Sequence, residues 1–207
     1  MPVDLQALAP ADLIATSGPA ATVERPEPSA LAARFQQGIK HLVNGVTVVT
    51  SADDGTWYGI MTTSVCTLSA DPPTLIACVR RRSQIGQRMG RARRFCVNLL
   101  SEQQRTVAEA FTGPPGADGS PGPRAGGFGH GQWVSGATGC PVLEDALASF
   151  ECGVDLMYGY SGQVVIIGAV LQFRQSDDAL APLASAAGQF CHVMPVADPG
   201  RRNAPRR

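Results

Sequence analysis

The stretch 46–63 constrains this chain more than any other. Val46-Thr47-Val48-Val49-Thr50 is rich in branched side chains, which fit a pleated strand better than a helix. Asp53-Asp54-Gly55 follows and is a hairpin signal, because Asp and Gly tolerate the positive φ that tight two-residue turns require. Residues 57–63 resume an extended pattern and run into the small hydroxyl residues Thr62-Thr63-Ser64. A sheet that starts with such a hairpin is antiparallel from its first turn.

The later segments continue the theme. Asp71-Pro72-Pro73 punctuates the chain, and residues 74–79 read as a buried strand. Residues 83–93 read as a helix with Ser83 as N-cap, and 95–100 as the next strand. Ser101-Glu102-Gln103-Gln104 places a cap and a glutamine at capping-box spacing, opening a helix to about Phe111. Residues 148–157 and 163–173 are two further strands, joined around 158–162, and 183–193 is apolar and small. Upstream, Ser29 caps a helix carrying Leu31, Phe35, Ile39 and Leu42, which Asn44-Gly45 ends. Strands outnumber helices and cluster as neighbours, so the expected fold is mainly β with flanking α: a closed antiparallel barrel, not a doubly wound sheet. Residues 1–29, broken by Pro10, Pro19, Pro26 and Pro28, read as a flexible arm, 30–195 as the domain, and 196–207 as a disordered basic tail. The Gly/Pro-rich loop 113–127 is long enough to carry a function of its own or none.

Charge narrows the function. The 17 basic and 17 acidic residues cancel, so nothing draws the chain as a whole to nucleic acid or a membrane surface. Only 16% of residues are charged, which leaves surface to bury between copies. No run reaches the ~18 apolar residues of a membrane helix, and none resembles a signal peptide. The six cysteines show no Cys-x-x-Cys pair and no zinc-ligand spacing with His41, His130 and His192, so the expectation is a reduced, cytoplasmic protein without a metal. Dinucleotide-fold and phosphate-loop glycine motifs are absent, as is a nucleophile elbow. The local runs Arg80-Arg81-Arg82 and Arg91, Arg93, Arg94 read as a solvated face or as an anion site.

Gly59-Ile60-Met61-Thr62-Thr63-Ser64-Val65-Cys66-Thr67-Leu68-Ser69-Ala70-Asp71-Pro72-Pro73 resembles the signature of the short-chain flavin reductases. These are FMN-binding split-barrel proteins that include the reductase components of two-component flavin monooxygenases. Further blocks keep the family order: Asn44 to Thr50, Arg81-Arg82-Ser83, Arg93 to Leu100, Phe128, Pro141-Val142-Leu143, Glu151-Cys152 and Gly168-Ala169-Val170. The resemblance implies a Greek-key antiparallel split β-barrel, an FMN (FAD possible), NAD(P)H as co-substrate, a homodimer and a monooxygenase partner. It implies that Met61, Thr62, Thr63, Ser64, Cys66 and Thr67 lie along the flavin. It places the phosphate at Arg82, Ser83 and Gln84, where an arginine, a hydroxyl and a helix N-terminus meet. Phe128 would cover the ring.

Two departures fall on the side of the second substrate. The family's Gly-Asp-His aligns with Ser161-Gly162-Gln163, so Gln163 stands where a histidine near the nicotinamide is expected. The C-terminal tyrosine segment aligns with residues 182–190, ending at Phe190. Ile85 also replaces a second hydroxyl in the phosphate corner. Gln163 and Phe190 are therefore the substrate-face candidates, and no acid or base stands out. The leading expectation is an NAD(P)H-dependent FMN/FAD reductase. The alternatives are an FMN-retaining enzyme on another small molecule and a non-catalytic flavin-binding subunit.

Overall fold

The computed structural model describes residues 28–112, 127–176 and 180–194. The expected arm up to residue 27, the loop residues 113–126 and the tail 196–207 lie outside the described residues. Helix α1 spans Pro28–Ile39. Ser29 is its second residue and not its cap, because Pro28 already holds the φ of a first helical turn. The helix stops at Ile39, and Asn44–Gly45 form a short strand, β1, instead of a helix end.

Strands β2 (Thr47–Asp53) and β3 (Thr56–Thr62) flank Asp54 and Gly55, whose φ values of 48° and 74° are those of a tight hairpin. Next come β4 (Val65–Ala70) and β5 (Pro73–Arg80), linked through a cis Asp71-Pro72 bond. Helix α2 (Gln84–Ala92) leads to β6 (Arg94–Leu99), and a short 3-10 turn leads to α3 (Arg105–Thr112). The small hairpin β7 (Trp133–Ser135) and β8 (Pro141–Leu143) precedes the long one, β9 (Ala148–Tyr160) and β10 (Gln163–Gln175). The described chain closes with β11 (Leu183–Ala186) and β12 (Gln189–His192).

The main sheet has seven strands in the order β3-β2-β6-β9-β10-β5-β4, with every pair antiparallel. Its two edge strands, β3 and β4, are neighbours in sequence with only Thr63 and Ser64 between them. The sheet must therefore curl until its edges meet. The closure is visible where Thr62 Oγ1, at the end of β3, donates to the Cys78 carbonyl of β5 at 3.1 Å; the bond from Cys78 N to the Ser64 carbonyl (2.8 Å) extends the β4–β5 ladder to the same point. The edges part beyond this point, which is the split of the barrel. Strand β6 arrives by way of α2 and inserts between β2 and β9, the long-return connection of a Greek key.

Alternation fills the barrel. Along β5, Leu75, Ala77 and Val79 are buried while the residues between them are only partly covered. They meet Val49, Phe95, Val97 and Ile166, with Ile85 and Met89 of α2 closing one end. Phe95 needs Gly168 opposite it, since a Cβ there would lie 2.5 Å from the ring. A second core of Val48, Leu100, Val107, Phe111 and Leu183 lies under α3. Buried Asn98 ties the layers: its amide donates to the Val48 carbonyl (3.1 Å) and accepts from Leu143 N and Ser149 Oγ (both 2.9 Å). Buried Glu151 accepts from Ala137 N (3.2 Å), Thr138 N (2.7 Å) and Thr138 Oγ1 (2.6 Å), so this carboxylate is fully engaged in shaping a loop.

Candidate functional site

Where the barrel splits, a cleft of about 690 Å³ opens, within the size range of small-molecule and cofactor sites. One wall is the end of β3 and its link to β4: Met61, Thr62, Thr63 and Ser64. The end of β5 adds Cys78 and Arg80, and the start of β10 adds Gln163. Glu109 and Thr112 of α3 and the β11–β12 hairpin, through Ser185, Gly188 and Phe190, complete it. Six of the residues expected from sequence thus gather in one place: Met61, Thr62, Thr63, Ser64, Gln163 and Phe190.

The hydroxyls here are partly committed. Thr62 Oγ1 donates to Cys78 O and accepts from Ser64 N at 3.1 Å, which locks the turn between the edge strands. Arg105 pairs with Glu109 (2.7 Å), and its guanidinium lies 5.6 Å over the Phe190 ring, fixing that rim. Burial, and secondarily Cys66, pushes the Cys78 thiol up, so Cys78 presents a neutral group to the cleft.

Five other expected residues lie elsewhere or do other work. Cys66 and Thr67 are exposed on β4, outside the cleft lining. Arg82 borders a separate hollow of about 570 Å³ with Arg81, Gly86, Gln87 and Gly159. Ser83 is buried and caps α2: its Oγ accepts from Gly86 N (3.1 Å) and donates to the Arg80 carbonyl (2.6 Å). Its one proton is thereby spent, so at this corner the N–H groups opening the helix, beginning with Gln84, are the donors left for an anion.

Phe128 packs apart from the cleft. It does not line the cleft but stands edge-on to Phe111 (5.0 Å), Trp133 (5.2 Å) and Trp57 (5.4 Å) in an aromatic cluster on the α3 core. Phe111 fills the space that Gly59 and Gly127 leave, and so draws Phe128 inward. None of the three histidines lines the cleft; His192 is exposed and pairs with Glu102 at 2.7 Å. Ser185 and Gly188 were not among the expected residues, and Arg80 was read only as part of an arginine run. Strand alternation was the available signal for Arg80, because Val79 points into the core and its neighbour must point out.

The family described as "Flavin reductase like domain" matches residues 39–194. The chain belongs to this family. It is 34% identical over 134 residues to "FMN reductase (NADH) RutF" of Enterobacter sp. (strain 638), covering 65% of this chain and 73% of that one. It is 35% identical over 133 residues to "Probable flavin reductase" of Rhizobium meliloti (strain 1021), covering 64% of this chain but only 40% of that one. Among solved structures, the NADH:FAD oxidoreductase SgcE6 of Streptomyces globisporus C-1027 superposes with a TM-score of 0.70 at 26% identity. That match covers 88% of this chain and 98% of that one. Among the described residues, no group of three or more His, Cys, Asp or Glu is placed to hold a metal, and no helix is long and apolar enough to cross a membrane.

Proposed function

We propose that this protein is an NAD(P)H-dependent flavin reductase that passes reduced flavin to a partner monooxygenase. The observation that carries the reading is the cleft at the barrel split, in which hydroxyl, backbone and apolar groups from six elements converge on one slot. Its residues fit a flavin. Met61 and Cys78 offer neutral, polarisable surface for a ring. Thr63 and Ser64 present hydroxyl and backbone groups at its edge, and the start of α2 beside Arg82 suits a phosphate. Bound flavin supplies the hydride-accepting ring, a chemistry that belongs to the cofactor. The chain's own task is to hold the ring in one plane, leave one face open to the donor and exclude water. Gln163 and Phe190 stand on that open side, where Gln163 offers an amide and no proton to transfer. FMN and FAD are both compatible, since the phosphate corner is open beyond Arg82.

We further infer a homodimer. Leu31, Phe35, Ile39 and Leu42 of α1 and its extension are exposed, as are Leu68, Leu171 and Phe173 on the sheet. Apolar surface on this scale marks an interface. Steady-state assays of purified protein with NADH or NADPH and free FMN or FAD test the main reading. Nicotinamide oxidation that depends on added flavin supports it. Tight flavin retention without turnover favours an FMN-retaining enzyme on another substrate.

A further inference from the structure

The arginine run does not act as one patch. Arg80 is the last residue of β5, and its Cα partner on β10 is Gln163. Both line the cleft. Arg81 and Arg82, past the strand end, border the other hollow at the start of α2. Neighbouring arginines are thus delivered to two different cavities.

Within the cleft, Arg80 and Glu109 are the charged residues of the lining. Glu109 is paired with Arg105. Arg80 is a half-buried residue, and among the described residues its guanidinium has no hydrogen-bond or ion-pair partner, although its own carbonyl is held by the Ser83 hydroxyl and backbone. An unpaired guanidinium partly removed from water is costly unless a ligand completes it. Its planar fork suits phosphate oxygens. Gln163, where the resemblance leads one to expect a histidine, lies directly across the strand pair from Arg80. A cation therefore sits on the same side of the slot from which a cationic or hydrogen-bonding ring has been lost.

We propose that Arg80 binds a phosphate of the pyridine dinucleotide and sets the specificity for the hydride donor, replacing by charge the contact that the missing histidine would make. This rests on the reductase reading above and goes beyond it, since it divides the arginine run: Arg82 serves the flavin phosphate and Arg80 the donor phosphate.

The test uses Arg80→Gln and Arg80→Lys in the full chain, with two readouts. The first is equilibrium binding of NADH and NADPH, followed by nucleotide fluorescence, alongside FMN binding by quenching of flavin fluorescence. Removing a charge-assisted bond weakens binding at least about tenfold. Arg80→Gln is expected to lose that factor for the dinucleotide while its FMN affinity stays within twofold, with Arg80→Lys recovering part. The second readout is flavin reduction by 1-benzyl-1,4-dihydronicotinamide, a donor without phosphate. Arg80→Gln should lose far less activity with this donor than with NADH, because the donor has no phosphate for Arg80 to hold. If FMN affinity falls as far as dinucleotide affinity, Arg80 belongs to the flavin phosphate and the proposal is overturned. Unchanged NADH binding, or an equal loss with the phosphate-free donor, overturns it too. If the parent protein binds dinucleotide through Arg80 but does not turn it over, the reductase reading fails while the Arg80 assignment stands. If the parent binds no dinucleotide, both fail.

Discussion

Replacing Gly86 by Ala adds one methyl group at the point where α2 is fastened to the end of β5. That Cβ would lie 2.2 Å from the Arg80 carbonyl oxygen, 3.1 Å from its carbon and 3.1 Å from the Ser83 hydroxyl. The first contact is with backbone, and it lies about 1 Å inside an ordinary van der Waals separation. It cannot be relieved by rotating a side chain, so the helix start must move off β5. Movement pulls Gly86 N from Ser83 Oγ and so weakens the cap. Overpacking costs about 1–3 kcal/mol and a lost cap about 1 kcal/mol. Alanine returns about 1 kcal/mol through its better helix propensity. The net is about 1–3 kcal/mol of destabilisation, or a melting temperature lower by about 3–10 °C for a domain of this size. Because the same corner presents the N–H groups proposed to take the flavin phosphate, FMN affinity should fall at least about fivefold. Thermal unfolding followed by circular dichroism and FMN titration of the same preparation check both. A Gly86→Ala protein with parental melting temperature and parental FMN affinity would refute the idea that the Arg80–Ser83–Gly86 contact shapes this corner.

Three further outcomes follow from the geometry. Phe128→Ala should lose about 2–3 kcal/mol of stability in chemical denaturation but keep FMN affinity within twofold, because its ring packs on Phe111, Trp133 and Trp57 and not over the cleft. Burial pushes the Cys152 thiol up from an ordinary value of 9.0 to about 12. The unfolded chain therefore releases this proton first as pH rises, so stability is intact below about pH 9 and declines from there toward pH 12. Cys152→Ala should be less stable at pH 7 yet show a shallower alkaline decline in stability measured from pH 8 to 11. Phe35, 64% exposed on α1, should become buried between copies, so Phe35→Glu should shift the mass measured by light scattering from dimer to monomer.

What the sequence made legible was local. Ser83 reads as a cap because capping is decided within three residues, and the structure uses it so. Asp54-Gly55 reads as a hairpin turn because only positive-φ residues fit there. Gln104 reads as a capping-box residue, and its Oε1 accepts from Ser101 N at 2.9 Å. Strand β4 was not legible: its residues from Cys66 to Ala70 are small, polar or exposed and form only one edge of the sheet, so neither branching nor alternation announces it. The packing of Phe128 was not legible because it depends on Phe111 filling the space beside Gly59 and Gly127, contacts distant in sequence. The gathering of Thr63, Arg80 and Gln163 follows from the order of all seven barrel strands and not from any one of them, and Phe190 joins them from the separate β1-β11-β12 sheet.

The most direct test of the central claim is an absorbance spectrum of the protein loaded with FMN, recorded under nitrogen before and after addition of NADH. The account predicts yellow flavin bands that bleach on mixing, which shows that the cleft accepts a donor despite Gln163. Bands that persist with both NADH and NADPH would contradict it.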